Sequence, residues 1–243
     1  MSDLTPDAEK SHQIKIALRA RLLTVRRSLP VTALDAAAAK IQGQILALVR
    51  RTGARSIAAY VPIGPEPGGT DLPDRLLAAL PRDGRLLLPV LLPDNDLTWA
   101  ELTAPTSPPA AQSSPTSTAD SPTPTPGPPT SAPAPSIPGS SLLVAGPRGL
   151  REPGGPRLGV EAVRSVDLLL VPALAVGPDG TRMGRGGGSY DRVLARLPDL
   201  GPLTVALLHD GEDVPFVPAE PHDRRVHAVI TPTGGFSRRP HAS

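Results

Sequence analysis

A chain of 243 residues sets the scale of one ordinary domain, and with aromatics at 2% its core must be built from Leu, Val, Ile and Ala. The absence of cysteine excludes disulfides, iron–sulfur clusters and thiolate zinc sites. A formal charge of +2 from scattered basic residues argues against a nucleic-acid partner. No apolar run reaches membrane length and "MSDLTPDAEK" lacks a signal-peptide core, so a soluble cytoplasmic monomer with no membrane partner is expected.

In chain order, "IKIALRARLLTVRRSL" places Ile14, Leu18, Leu22, Val25 and Leu29 at steps of three or four, the period of one helical face. Pro30 ends that helix, and Thr32 is positioned to cap a second one carrying Leu34, Ile41, Ile45, Leu48 and Val49. "SIAAYVP" reads as a short strand and "IGPEPGGT" as a loop, with Thr70 expected to cap a third helix, "DLPDRLLAAL". "RLLLPVLL" and "DLTWAEL" read as strands joined by the turn "PDND".

Residues 104–141 differ in kind, with 12 prolines, 15 serines or threonines and the single charge Asp120. Such a composition buries too little apolar surface to offset chain entropy, so a disordered, partly polyproline-II insert is expected. "GPRGLREPGG" reads as a loop, and the continuous apolar run "DLLLVPALAV" as a strand covered on both faces. A helix from about Ser189 and the strands "TVALLH" and "HAVITP" follow. Strands alternating with helices on both sides of the insert point to an α/β domain with a mostly parallel sheet. Its segments are 1–103 and 142–235, split by the insert, and 236–243 is a flexible tail.

The chemistry concentrates in Thr181 to Leu197, "TRMGRGGGSYDRVLARL". Strand, glycine loop and helix start in that order offer unpaired backbone N–H groups to an anion. Arg182 and Arg185 add fork-shaped charged donors, and Asp191 in the first helical turn is placed to bind a metal that a polyphosphate brings. The plainer alternative is a flexible turn with a favourable first-turn carboxylate. A Walker A loop needs a lysine the segment lacks, and a serine-hydrolase elbow needs a closing glycine it also lacks. A dinucleotide fingerprint fits Gly184 and Gly186 but meets Ser189 at its third glycine, with Asp210 as the candidate ribose acid.

Four islands, "KIALR", "YVPIGPEPGGTDL", "DLLLVPALAVGPDGTRMGRGGGSYDRVL" and "VPFVPAEPHDRRVHAVITP", together resemble the 5-formyltetrahydrofolate cyclo-ligase (5,10-methenyltetrahydrofolate synthetase) family. The resemblance implies a three-layer α/β/α, Rossmann-like fold of cyclo-ligase type. It also implies ATP- and Mg²⁺-dependent conversion of 5-formyltetrahydrofolate into 5,10-methenyltetrahydrofolate, with ADP and phosphate released by way of a phosphorylated formyl group. The partners implied are reduced folate and ATP.

Carried over residue by residue, the resemblance makes Lys15 and Arg19 an ATP-phosphate clamp. Arg182, Met183, Gly184, Arg185, Gly186, Gly187, Gly188, Ser189 and Tyr190 then wrap the nucleotide, with Arg185 and Tyr190 as the catalytic pair. Val61, Glu66, Gly186, Gly188 and Tyr190 border the folate, and Asp191 and Asp223 are the magnesium carboxylates, with His222 beside the latter as a loop residue. Many members read Gly-Arg-Gly-Lys-Gly-Tyr-Tyr-Asp here; this chain has Gly187 for the lysine and Ser189 for the first tyrosine. Val176 and Gly177 replace an aromatic and an acid. Two further readings stand beside this one: a catalytically weakened folate- and ATP-binding paralogue, and a dinucleotide-dependent oxidoreductase.

Overall fold

A computed structural model describes residues 6–103, 143–198, 200–219 and 223–240. The expected insert at 104–141 and His222 lie outside the described residues. The helices are α1 (Pro6–Ser28), α2 (Val31–Thr52), α3 (Leu72–Ala79) and α4 (Ser189–Ala195). The strands are β1 (Ser56–Ala58), β2 (Arg85–Leu91), β3 (Leu97–Glu101), β4 (Leu143–Ala145), β5 (Arg151–Pro153), β6 (Leu168–Pro172), β7 (Ala175–Val176), β8 (Arg182–Met183), β9 (Leu203–Leu207), β10 (Ala228–Thr231) and β11 (Gly235–Arg238).

Among the described residues seven strands form one sheet in the order β11-β10-β9-β6-β1-β2-β3. The central pairs β10–β9, β9–β6, β6–β1 and β1–β2 are parallel, and the edges β2–β3 and β10–β11 are antiparallel. Two-residue periodicity sends alternate side chains to opposite faces. Ile57, Leu86, Leu88, Leu168, Leu170, Val205 and Leu207 pack with Ile41, Ile45 and Leu48 of α2 and with Leu72 and Leu76 of α3. Ala58, Leu87, Leu169, Val171, Ala206 and Leu208 pack with Val163, Val193 and Leu194 beneath α4. These are the three expected layers. The run "LLLVP" has no polar alternation because β6 is covered on both sides.

Helix α1 sits elsewhere. Its Leu22 packs with Leu174, Ala175 and Met183 of the β7–β8 hairpin and with Val214 and Val217. The expected apolar face is inward only in part: Leu22 is buried and Leu18 packs beside it, whereas Ile14 and Val25 are exposed and the inward stripe is completed by the buried Lys15 and Arg26. Pro30 rather than Thr32 is the first residue before α2, and Asp71 rather than Thr70 precedes α3. Gly53, at φ 67°, closes α2 by donating its N–H to the Val49 carbonyl at 2.9 Å.

The stretch read as the loop "GPRGLREPGG" contains the turn and second strand of a β4–β5 hairpin. Residues 236–238, expected in a flexible tail, belong to the edge strand β11, where Phe236 packs on the core and Arg51 stacks 5.0 Å from its ring centroid. No helix among the described residues is long and apolar enough to cross a membrane.

Candidate active site

The strand order changes direction between β1 and β6: the chain leaves β1 toward β2 and leaves β6 toward β9. In a parallel sheet such a point leaves a crevice beyond the carboxyl ends of the two strands, because their following segments diverge. Here those segments are the loop after β1, which carries Val61 and Glu66, and the segment after β6, which carries the β7–β8 hairpin and the glycine loop. Between them lies a cleft of about 330 Å³.

The hairpin explains why eleven residues separate the end of β6 at Pro172 from Gly184. It projects Arg182 back toward the sheet, where Nη1 donates to the Pro172 carbonyl at 3.2 Å and Nη2 bonds the Asp191 carboxylate. Arg182 is 5% exposed, and burial pulls its pKa down against the opposing pull of Asp191. A Cβ at position 184 would stand 2.8 Å from Arg182 Nη1, so a side chain there would displace the guanidinium. Gly186 and Gly188 hold φ of 99° and 73°, the left-handed region that disfavours other residues. Gly187 does not need that freedom, and a Cβ there would meet nothing closer than Ser189 Oγ at 4.0 Å.

Tyr190 follows on the first turn of α4 and lines the cleft. Its hydroxyl is buried without a partner among the described residues. Burial raises its pKa and nearby Glu66 raises it further, so at neutral pH the group is a donor and not a base. Glu66 is itself buried; its Oε2 accepts from the Ile63 N–H at 3.0 Å and its Oε1 lies 3.5 Å from Arg185 Nη1. Burial pushes its carboxyl above the usual range, only partly opposed by that N–H and by Arg185. The loop is braced by Tyr60, whose hydroxyl donates to the Pro67 carbonyl at 2.5 Å.

Helix α1 supplies cations from behind the loop. Lys15 Nζ reaches Asp223 Oδ2 at 2.9 Å, and Arg19 Nε donates to the Gly184 carbonyl at 3.1 Å. Arg26, which the sequence reading passed over, lines the cleft itself. It is 2% exposed, bonds Glu212 through Nε at 2.5 Å and Nη2 at 2.7 Å, and reaches the Ala173 carbonyl. The signal for it was present: Lys15, Arg19, Leu22 and Arg26 follow steps of four, three and four. An apolar-only search for a helical face ignores that stripe.

Of the residues singled out from sequence, Val61, Glu66, Arg182 and the run from Gly184 to Asp191 line the cleft. Lys15, Arg19 and Asp223 sit against that run or each other. Met183 turns its side chain into the apolar cluster under α1, and its carbonyl accepts from the Leu174 N–H at 2.8 Å. Asp191 and Asp223 are held by Arg182 and Lys15 respectively, and both act electrostatically on Arg182. No group of three or more metal-ligating side chains occurs among the described residues. Two carboxylates with hard oxygen donors suit a magnesium ion that takes its remaining ligands from phosphate and water. Asp210, the candidate ribose acid of the dinucleotide reading, instead accepts from Thr233 N at 3.0 Å and Thr233 Oγ1 at 2.7 Å.

Residues 11–134 and 121–232 match the model of the 5-formyltetrahydrofolate cyclo-ligase family. The chain is 35% identical over 231 residues to a 5-formyltetrahydrofolate cyclo-ligase of Mycolicibacterium smegmatis, covering 93% of this chain and 97% of that one. It is 34% identical over 86 residues, 33% of its length and 42% of the relative's, to the mouse protein of the same name. In fold it is similar to a 5,10-methenyltetrahydrofolate synthetase of Aquifex aeolicus, with a TM-score of 0.67 at 22% identity over 95% of both chains. A Mycoplasma pneumoniae synthetase gives 0.57 at 18% identity over 88% of this chain and 96% of that one.

Proposed function

The chain belongs to the 5-formyltetrahydrofolate cyclo-ligase family and is an enzyme of that ligase class; from that premise we propose that it closes 5-formyltetrahydrofolate to 5,10-methenyltetrahydrofolate at the expense of ATP, with magnesium, releasing ADP and phosphate. The observation that carries the reading is the joining, in one cleft at the β1/β6 crevice, of a glycine loop flanked by arginines and a buried carboxylate on the facing loop.

In the proposed reaction the formyl oxygen bonds to the γ-phosphorus while the bridging bond to ADP breaks. N10 then adds to the former formyl carbon and gives up its proton. Phosphate departs with the formyl oxygen as the five-membered ring closes. Little covalent chemistry falls to the protein, so its work is positioning and charge stabilisation. Glu66 accepts hydrogen bonds from the pterin amino and ring N–H groups, and Val61 covers the pterin. Arg185 and the backbone N–H groups from Gly186 to Ser189 hold the transferring phosphoryl oxygens, with Lys15, Arg19 and Arg182 supplying field from behind. Tyr190, protonated, donates to an oxygen at the reacting centre. Asp191 and Asp223 would hold the magnesium ion, which neutralises phosphate charge. Solution in the cytoplasm and action as a monomer complete the proposal.

The ring-closed product absorbs in the near ultraviolet, so a spectrophotometric assay with 5-formyltetrahydrofolate, ATP and Mg²⁺ tests the reading directly. An absorbance rise that needs all three components is expected. No rise at any enzyme concentration, with folate and ATP still bound, would identify the weakened paralogue instead.

A further inference from the structure

Five arginines line the cleft: Arg26, Arg148, Arg151, Arg182 and Arg185. Three of them face a carboxylate, with Arg26 on Glu212, Arg182 on Asp191 and Arg185 near Glu66. The other two do not. Arg148 Nη1 donates to Asn95 Oδ1 at 2.6 Å and Arg151 Nη2 to the Thr70 carbonyl at 2.8 Å, both neutral acceptors. Glu152, next in the chain, is turned away: its Oε1 accepts from the Leu91 N–H at 2.9 Å and its Oε2 lies 3.7 Å from Arg157. Among the described residues, neither Arg148 nor Arg151 has a carboxylate partner.

The hairpin that carries them is built to present them. Arg148 holds φ 57° and ψ 27°, a conformation that residues with a side chain rarely adopt, where glycine or asparagine would be at ease. The turn is closed by the Gly146 N–H on the Leu150 carbonyl at 2.8 Å, and Asn95 and Thr70 fix the two guanidiniums from opposite neighbours. The placement is equally specific. The polar, buried part of the cleft, with Glu66 and Tyr190, belongs to the central crevice. The apolar lining of Pro89, Leu91, Leu97 and Leu150 comes from β2, β3 and the hairpin, toward the sheet edge. A ligand lying along this path meets hydrogen-bonding groups first, then an apolar slot, then two uncompensated cations.

We propose that the β4–β5 hairpin, through Arg148 and Arg151, receives the carboxylates of the glutamate tail of a reduced folate. The inference rests on the cyclo-ligase reading and extends it to the tail end of the same substrate. A pterin, an aminobenzoyl ring and a glutamate present in that order the groups the cleft meets, and planar guanidinium forks match carboxylates in paired hydrogen bonds. Further glutamates, linked outward, would run along the exposed side of the hairpin.

The test is steady-state kinetics of the wild type and of R148Q/R151Q. The substrates are 5-formyltetrahydropteroate, which has no glutamate, and the mono- and triglutamate forms of 5-formyltetrahydrofolate. Gln removes the charge but keeps a polar amide donor on a shorter stem, and equal melting temperatures establish that the variant folds. The expected result is a KM for the monoglutamate raised about tenfold, the size of one lost charge-assisted contact. The triglutamate should rise at least as much, kcat should stay within about twofold, and the KM for the pteroate should not move. R148K/R151K should recover part of the loss, because the charge remains. A parallel rise for the pteroate, no rise for any folate, or a rise confined to ATP would each overturn the proposal. If the wild type turns over none of the folates, it is the cyclo-ligase reading that has failed. Calorimetric titration with the monoglutamate then decides the tail site separately: binding weakened in R148Q/R151Q upholds it, and binding equal in both proteins, or absent from both, ends it.

Discussion

Glu66 costs the fold something, because its burial raises the pKa and the folded state therefore holds its proton more tightly than the unfolded chain does. For a carboxyl shifted upward, stability is greatest below the ordinary carboxylate range and declines as pH climbs through the raised value. Glu66→Gln removes that dependence. The variant and the wild type should melt alike near about pH 4, where an ordinary carboxyl is half protonated, and the variant should gain on the wild type toward neutrality. Melting curves across that range check this, and a difference that stays constant with pH would show the charge to be fully compensated. The same variant should bind folate more weakly, so stability and function oppose each other at this residue. At Gly187 they do not, since the backbone is ordinary and the space open. Gly187→Lys restores the lysine many members carry and should lower the KM for ATP by about tenfold through one charged phosphate contact; an unchanged KM would mean the loop points that side chain away from phosphate. The glycines, Glu66 and Tyr190 were legible in the sequence because a motif marks them. Arg26 was not, because a buried arginine is recognised by its partner, and Glu212 lies 186 positions away.

Among the elements, α1 shows most plainly how a functional site bends ordinary rules. Its inward stripe sets Leu18 and Leu22 between the buried cations Lys15 and Arg26, so the apolar period that normally identifies a packed face found only part of it. The helix is held by charge as much as by burial. Arg26→Met should strand Glu212 as a buried, unpaired carboxylate and cost about 3–5 kcal/mol, while R26M/E212Q should regain much of that loss. Urea denaturation midpoints of the two variants test this, and equal midpoints would remove the ion pair from the account of how α1 docks. The short elements also escaped the sequence reading for physical reasons. β7 and β8 are two residues each, below the length at which alternation is visible, and β11 owes its order to pairing with β10 and to Arg51 over Phe236.

For the molecule as a whole, the alternation of strands and helices was enough to foresee a mostly parallel sheet between two helical layers. The sheet order was not foreseeable, because it depends on which strand edges pair with which, and the crevice that holds the cleft is a product of that order. Composition alone set residues 104–141 apart. Replacing them by a short glycine–serine linker should leave kcat/KM within about twofold and the melting temperature within a few degrees, since loop-closure entropy changes slowly with length. Loss of folding or of rate would show that the segment packs against the domain.

The junctions of that segment lie at particular ends of their elements. Glu101 pairs with Leu87, four positions before Leu91 at the cleft, and Leu143 pairs with Pro153 at the open end of the hairpin whose turn carries Arg148. Chain added there enters and leaves at the pole of the domain turned from the chemistry. Turnover should therefore tolerate changes in its length, like those of a linker between genes. The same indifference makes it the place to graft a reporter or a surface tether onto a working enzyme.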